Sequence, residues 1–373
     1  MRLQLVTALA VACVASSASS ASADGTLSMR GVYYKERATR VIQPMLDGAF
    51  DVGTKGLVTG HFLVDAITSA SASSGAENAT PFTENRVEGG LGYTHEVDRF
   101  RLGAEAKYST ESDYRSVFVG VRAEVDLAQK NTVLGIGGGF AADQISAASD
   151  QGGLAQPTIM CTPTESAQEC SLNTMIAFAS ASQILSRNLV VGVTLDVSRL
   201  DGYQANPYRT AITDMGEAAE RHPTLRTREA GAISVRYFVP SSQTTLIGAY
   251  RYYRDTWKVH AHTPEVRIVQ QVGFSADASV RYRYHSQDGA FFYRDRYATS
   301  DITMQPYLTD DVKLDTFTGH TFEAKLGILG DSFGMEGRWA GARFEGILSY
   351  ILQHPRFGNA ITAQVALTVP FEY

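Results

Sequence analysis

The sequence predicts an all-β chain, closed into a single antiparallel transmembrane β-barrel of about 16 strands within a range of 14–18. Three observations carry this reading. Long segments alternate apolar and polar residues with period two; past an N-terminal leader no apolar run reaches membrane-helix length; and the chain ends on an amphipathic segment with an aromatic last residue.

The leader comes first. Arg2 supplies a positive charge, Leu3 to Ala15 form an apolar stretch, and Ala21-Ser22-Ala23 precedes Asp24. That order is the one of a secretory signal peptide, so residues 1–23 are expected to be removed near Ala23 and residues 24–373 to form the barrel. A membrane anchor is excluded because the apolar run is too short to span. Removing Arg2 takes the formal charge from −6 to −7. With a mildly acidic chain and no basic block, nucleic acid is not an expected partner. Two cysteines remain, Cys161 and Cys170, in the polar stretch PTIMCTPTESAQECSLN. An exported compartment favours a disulfide between them, and the spacing is not that of a C-x-x-C redox pair.

The alternation then sets the strands. In 117–127, Val117, Val119, Val121, Ala123, Val125 and Leu127 oppose Phe118, Gly120, Arg122, Glu124 and Asp126. Segments 100–108, 189–197 and 322–328 repeat the pattern, which belongs to a sheet with a different solvent on each side. Strands are expected at 28–36, 40–50, 57–68, 85–97, 99–109, 114–127, 132–145, 174–185, 189–201, 228–239, 243–257, 266–273, 276–286, 317–328, 340–352 and 360–373. The run GIGGGF lies inside one of them and reads as close backbone packing or a kink. The long connections follow strands 3, 7, 9 and 13 and so fall on one side, taken as extracellular, while the other side has short periplasmic turns. Tyrosines and phenylalanines, 18 and 17 of them, cluster at segment ends as in interfacial girdles. In QVALTVPFEY, Val365, Leu367, Val369, Phe371 and Tyr373 share one face, like the C-terminal strand that the barrel assembly machinery receives. The expected location is the outer membrane of a Gram-negative bacterium, in contact with its lipid.

With the apolar face outward, the inward set includes Arg101, Glu105, Lys107, Arg122, Glu124, Asp126, Asp196, Arg236, Arg251, Arg281, Arg283, His285, Glu323, Lys325, Arg343 and Glu345. Such charges face water or one another, either as ion pairs that stiffen the wall or as a selective path. From Arg228 to His285 cations dominate, which points to anions or carboxylated ligands unless loop acids neutralise them. His260 and His262 would share one face of an extended segment, a weak metal signal, and the acids of YLTDDVKLD a weaker one for calcium. No nucleophile elbow, zinc-protease signature or phosphate loop is present, so no catalytic residue and no cofactor is expected.

Four ordered motifs remain: NPYR at 206–209, ERHPTLRTR at 220–228, YRYYRDTW at 250–257 and RYRYHSQDGAFFY at 281–293. Together with the opening YYKERATRVIQP, this order resembles an uncharacterised-domain family of proteobacterial outer-membrane barrels. Where that family's opening segment ends in SGASP, this chain has SASAS, which puts the loop after strand 3 in doubt. The resemblance implies no activity. It implies company with periplasmic flavin-attachment and thioredoxin-like proteins, and hence a periplasmic redox or lipoprotein partner. The NPYR loop is expected to fold inward, with Arg209 and Glu220 pairing with wall residues such as Asp255 or Arg283. Arg226, Arg228, Arg236, Arg251, Arg281 and His285 would complete a constriction, as in a porin-like transport barrel. The alternatives are a loop merely sealed by ion pairs, and a non-conducting scaffold or assembly component of a flavin-linked envelope system.

Overall fold

The computed structural model describes residues 24–371, apart from 38, 71–80, 147–158, 163–164, 208, 305, 354–355 and 357. The leader with its cleavage site, Tyr208 and Tyr373 lie outside the described residues.

Sixteen strands follow one another around a closed antiparallel barrel. In chain order they are β1 Gly25–Lys35, β2 Thr39–Val52, β3 Gly56–Ala70, β4 Pro81–Val97, β5 Phe100–Thr110, β6 Tyr114–Leu127, β7 Thr132–Ser146 and β8 Glu169–Ser186. The second half runs β9 Leu189–Gly202, β10 Leu225–Val239, β11 Thr244–Asp255, β12 His260–Val272, β13 Ala276–Gln287, β14 Phe317–Leu329, β15 Arg343–Leu352 and β16 Ala360–Phe371. Closure is made by β1 on β16, in register from Gly25 opposite Phe371 to Lys35 opposite Ile361. Because every strand has two neighbours, no edge is left with unpaired N–H and C=O groups, which hydrocarbon would not tolerate. Among the described residues no helix is long and apolar enough to cross a membrane.

Opposed residues in an antiparallel pair share a face, so the register carries the in/out assignment around the barrel. Val121 and Leu91 point outward and are 66% and 71% exposed, as lipid-facing residues without lipid must be. On the inner face Arg101 lies opposite Glu124 and donates to it at 2.9 Å and to Asp126 at 2.9 and 3.0 Å. The glycine run of β7 continues the ladder without a register shift on either side. Gly135, Gly137 and Gly139 face inward, and the last two give room to aromatic rings from the neighbouring strands. A Cβ at Gly139 would lie 2.6 Å from the Phe118 ring, and one at Gly137 would collide with Phe178. Close packing, rather than a kink, accounts for GIGGGF.

Two of the boundaries that differ from expectation have a clear local cause. β12 starts at His260 instead of 266, because the β11–β12 connection is a tight turn. Asp255 N–H bonds the Val259 carbonyl there, and Lys258 takes a positive φ of 65°. β15 starts at Arg343 instead of 340, because Gly337–Trp339 forms a 3-10 turn. With a second such turn at Gly330–Phe333, the connection from β14 to β15 is long although it lies on the short-turn side. The long connections after β3, β7, β9 and β13 do share the opposite side. A disulfide ties Cys161 of the β7–β8 connection to Cys170 at the start of β8, with their Cα atoms 5.3 Å apart. Cys170 is buried there with Ile145, Ile159 and Tyr203.

The two-solvent wall has a measurable consequence. Val121→Arg on the lipid side should cost about 2–4 kcal/mol near mid-depth. Thr194→Arg on the water side should cost less than about 1 kcal/mol. Reversible urea titration in lipid vesicles reads both, and equal costs would contradict the assignment.

Candidate functional site

The inner face of β10–β13 is assembled from strands whose polar positions hold arginine. The register places Arg226, Arg228, Arg236, Arg251, Arg267, Arg281 and Arg283 inward on this arc, against Asp255, Glu265 and Asp277. Over β2–β9 the inward acids include Asp47, Asp65, Glu88, Glu105, Glu124, Asp126, Asp143 and, next to the arc on β9, Asp196, against Arg86, Arg101, Lys107 and Arg122. The lumen is therefore charged unequally on its two sides.

Glu265 is the hub of the basic arc. It accepts from Arg283 Nε at 2.9 Å, from Arg267 at 3.3 Å and from Arg281 at 3.4 Å. Arg281 also pairs with Glu323 on β14. One carboxylate serving three guanidiniums leaves the arc with excess positive charge. Arg251 is 47% exposed and its nearest acid, Asp196, is 3.8 Å away. Arg236 is exposed and has no ion pair among the described residues, and the half-buried Arg228 keeps its Nε without a partner. His285 Nδ1 is 3.0 Å from the Thr263 hydroxyl. A cavity of about 540 Å³ opens on this wall, with Arg251, Thr263, Glu265, Arg283 and His285 in its lining. A second cavity of about 390 Å³ lies on the opposite wall, where His61 contacts Asp47 at 2.6 Å.

Above the basic arc, the β9–β10 and β13–β14 connections fold into a cap. They join edge to edge: Arg221 and Leu308 exchange backbone hydrogen bonds of 3.0 and 2.9 Å, and Tyr297 N–H bonds the Ile212 carbonyl at 2.9 Å. Tyr297, Phe292, Leu308 and Thr309 are fully buried within it. The Tyr297 hydroxyl donates to the Phe292 carbonyl at 2.5 Å and accepts from Thr309 N–H at 2.8 Å. The cap rests on the β11–β12 turn, where Trp257 packs edge-on against Phe292 with ring centres 5.1 Å apart. Arg226 stacks 3.9 Å above the same indole. Buried Asp255 organises this turn by accepting from Arg226 Nε (2.8 Å), the Tyr253 hydroxyl (2.7 Å) and the N–H groups of Trp257 (2.9 Å) and Val259 (3.0 Å).

Arg209 and Glu220 do not reach the wall partners expected for them. Arg209 pairs with Asp311, and Glu220 accepts from the Thr309 hydroxyl at 2.5 Å and faces His222 at 3.7 Å. The reason is the loop-to-loop pairing, which surrounds both residues with the other connection before either can meet β11 or β13. Asp255 is taken by Arg226 and Arg283 by Glu265. Sequence reasoning also missed Arg356, which reaches from the β15–β16 connection to Asp310 at 2.9 Å and to Asp295 at 2.9 Å. Asp310 and Asp311 are thus engaged by arginines. His260 and His262 sit on β12 facing outward, His262 against the Tyr250 hydroxyl at 2.6 Å and His260 3.5 Å from Asp288. Among the described residues no group of three or more His, Cys, Asp or Glu is placed to hold a metal ion.

The model of a family described as a protein of unknown function (DUF3570) matches residues 76–329, more than half of the chain and all of the basic arc. The chain belongs to the DUF3570 family. No curated protein matches it. Among solved structures it is similar to a bacterial polysaccharide outer membrane secretin, at 8% identity over 94% of this chain and 98% of that one, with a TM-score of 0.53. It is also similar to OprD of Pseudomonas aeruginosa, at 7% identity over 94% and 95% with a TM-score of 0.48. A BenF-like porin from Pseudomonas fluorescens matches at 10% identity over 94% and 99%, with a TM-score of 0.46. At these identities the likeness concerns the fold alone. The DUF3570 chain is a closed sixteen-stranded antiparallel β-barrel of the outer-membrane type.

The cap of this DUF3570 barrel should respond to acid. Burial pushes the Glu220 carboxyl up, but the hydrogen bond and charge of His222 and the charge of Arg209 outweigh it. The group therefore ionises below its ordinary value of 4.5. A carboxyl with a lowered folded pKa stabilises the cap above its unfolded value and loses that contribution as pH falls through the folded one. The protection factors of the Arg221 and Leu308 amides should fall below about pH 4.5. Glu220→Gln should weaken protection already at pH 7 and flatten the acid response. Protection unchanged from pH 7 to 3 would contradict this role.

Proposed function

We propose that the barrel is an outer-membrane pore whose basic arc draws anions down one side of the lumen. The supporting observation is the unequal inner charge, with Arg228, Arg236, Arg251 and Arg283 incompletely neutralised on β10–β13 and acids concentrated on β2–β9. A guanidinium row beside water offers bidentate contacts to carboxylates and lowers the barrier to anion entry. Arg226, Asp255 and the Arg209–Glu220 loop hold the mouth in shape, while Arg251, Arg281, Arg283 and His285 form the narrow part of the path. The chain would reach the outer membrane after cleavage near Ala23. It would be handed to the barrel assembly machinery through β16, whose outward Phe371 precedes Tyr373.

A second reading is favoured by the buried cap. Trp257, Phe292, Tyr297 and Leu308 make a folded lid over the basic arc, which suits a closed scaffold for an envelope redox system. Purified protein in planar bilayers separates the two. The pore reading predicts conductance with a reversal potential displaced toward anions in a salt gradient. Arg281→Gln with Arg283→Gln should shift it toward cations. Unpairing Glu265 and Glu323 costs up to about 3–5 kcal/mol, so heat-modifiable gel mobility must be retained for the comparison. Silent bilayers and solute-tight vesicles would leave the scaffold.

A further inference from the structure

We propose that the cavity between β10 and β15 is a binding site for a small monocarboxylate with a compact apolar body. It deepens the pore reading and rests on it for access from solution. Two guanidiniums enter the cavity, Arg251 from β11 and Arg283 from β13. Arg283 spends its Nε on Glu265, at 2.9 Å, and among the described residues no other acid pairs with it. Arg251 is held only at 3.8 Å by Asp196, so its planar fork is available. Both acids facing these arginines, Glu265 and Asp196, are therefore accounted for, and Glu265 is already shared with Arg267 and Arg281.

The charge balance selects the ligand. Arg251, Arg267, Arg281 and Arg283 are paired with only Asp196, Glu265 and Glu323, which leaves one excess positive charge around the cavity. A single carboxylate matches that excess and fits a guanidinium edge with two parallel hydrogen bonds. A phosphate dianion would bring a second charge beside Glu265 with nothing to balance it. Hydroxyl donors stand next to the cations: Thr263 opposes Arg251, and Thr321 opposes Arg283.

Apart from Tyr250 and Gln353, the remaining lining is small or apolar. Ala232 and Ala249 flank Arg251 on one side; Phe317 and Ile351 close the other, with the Phe317 ring 5.5 Å from His285. Small side chains beside an arginine make a recess, and an aromatic and a branched residue make its wall. A volume of about 540 Å³ holds a ring or short branched chain attached to the carboxylate.

Isothermal titration of the purified barrel in detergent tests this with 3-phenylpropionate, acetate, 3-phenylpropionamide and inorganic phosphate. The site predicts saturable binding of 3-phenylpropionate, weaker binding of acetate and none of the amide or of phosphate. Arg251→Gln should weaken 3-phenylpropionate binding about ten- to a hundredfold, the range for losing a charge-assisted hydrogen bond. Arg254→Gln, on the outer face, should leave it unchanged. The ligand comparison uses the unaltered protein, so it stands even where Arg251→Gln does not fold. Equal binding of acid and amide, tighter binding of phosphate, or unaltered affinity in a folded Arg251→Gln barrel would overturn the proposal. Binding without conductance would support the site and overturn only the pore; conductance without saturable binding would overturn the site alone.

Discussion

Everything in this molecule depends on the absence of water around its outer surface. Without water to accept the hydrogen bonds of a free sheet edge, the ladder must return to its start, and β1 pairs with β16 along the whole of β1. Closure then fixes the rest. With an even number of strands the chain ends lie on one side, and the long connections after β3, β7, β9 and β13 collect on the other. Polar side chains have only the lumen in which to be hydrated. The same constraint that makes the outside uniform makes the inside chemically dense.

Within the lumen, charge is organised by register as much as by composition. Arg281 meets Glu323 because β13 and β14 place them opposite each other, and Glu265 collects Arg283 directly opposite it and Arg267 and Arg281 two residues along the same face. Apart from Asp196 beside Arg251, the other inward acids of β2–β9 stand away from the arc. The aromatic rings of Phe118 and Phe178 lie over glycines of β7, which lets bulky residues face inward without crossing the lumen. The cap adds a second kind of order, a buried apolar core between two connections, pinned to the wall by Trp257, Arg226 and Asp255.

The strands were legible because period two is a local signal, repeated wherever lipid and water face opposite sides of one residue pair. Val117 to Leu127 shows this without any knowledge of its neighbours, and all sixteen strands are found where alternation places them. The inward direction of Arg251, Arg281 and Arg283 follows from the same alternation. Legibility fails where partners come from different connections. Arg209 and Glu220 were expected against the wall, yet Asp311, Thr309 and His222 hold them, since nothing periodic relates residue 220 to residue 309. The start of β12 at His260 was hidden by a turn that depends on the buried Asp255 carboxylate. The long β14–β15 connection contains no repeat that separates its 3-10 turns from strand.

The central claim is that the wall divides water from lipid residue by residue, with the arginines of β13 on the water side. Single cysteines placed at 279 to 285 in lipid-embedded barrels test it, with Cys161 and Cys170 left in their disulfide. The account predicts that Ser279→Cys, Arg281→Cys and Arg283→Cys react with a water-soluble maleimide. Val280→Cys, Tyr282→Cys and Tyr284→Cys should react only with a lipid-soluble one. Labelling without alternation, or with the two sets exchanged, would contradict it.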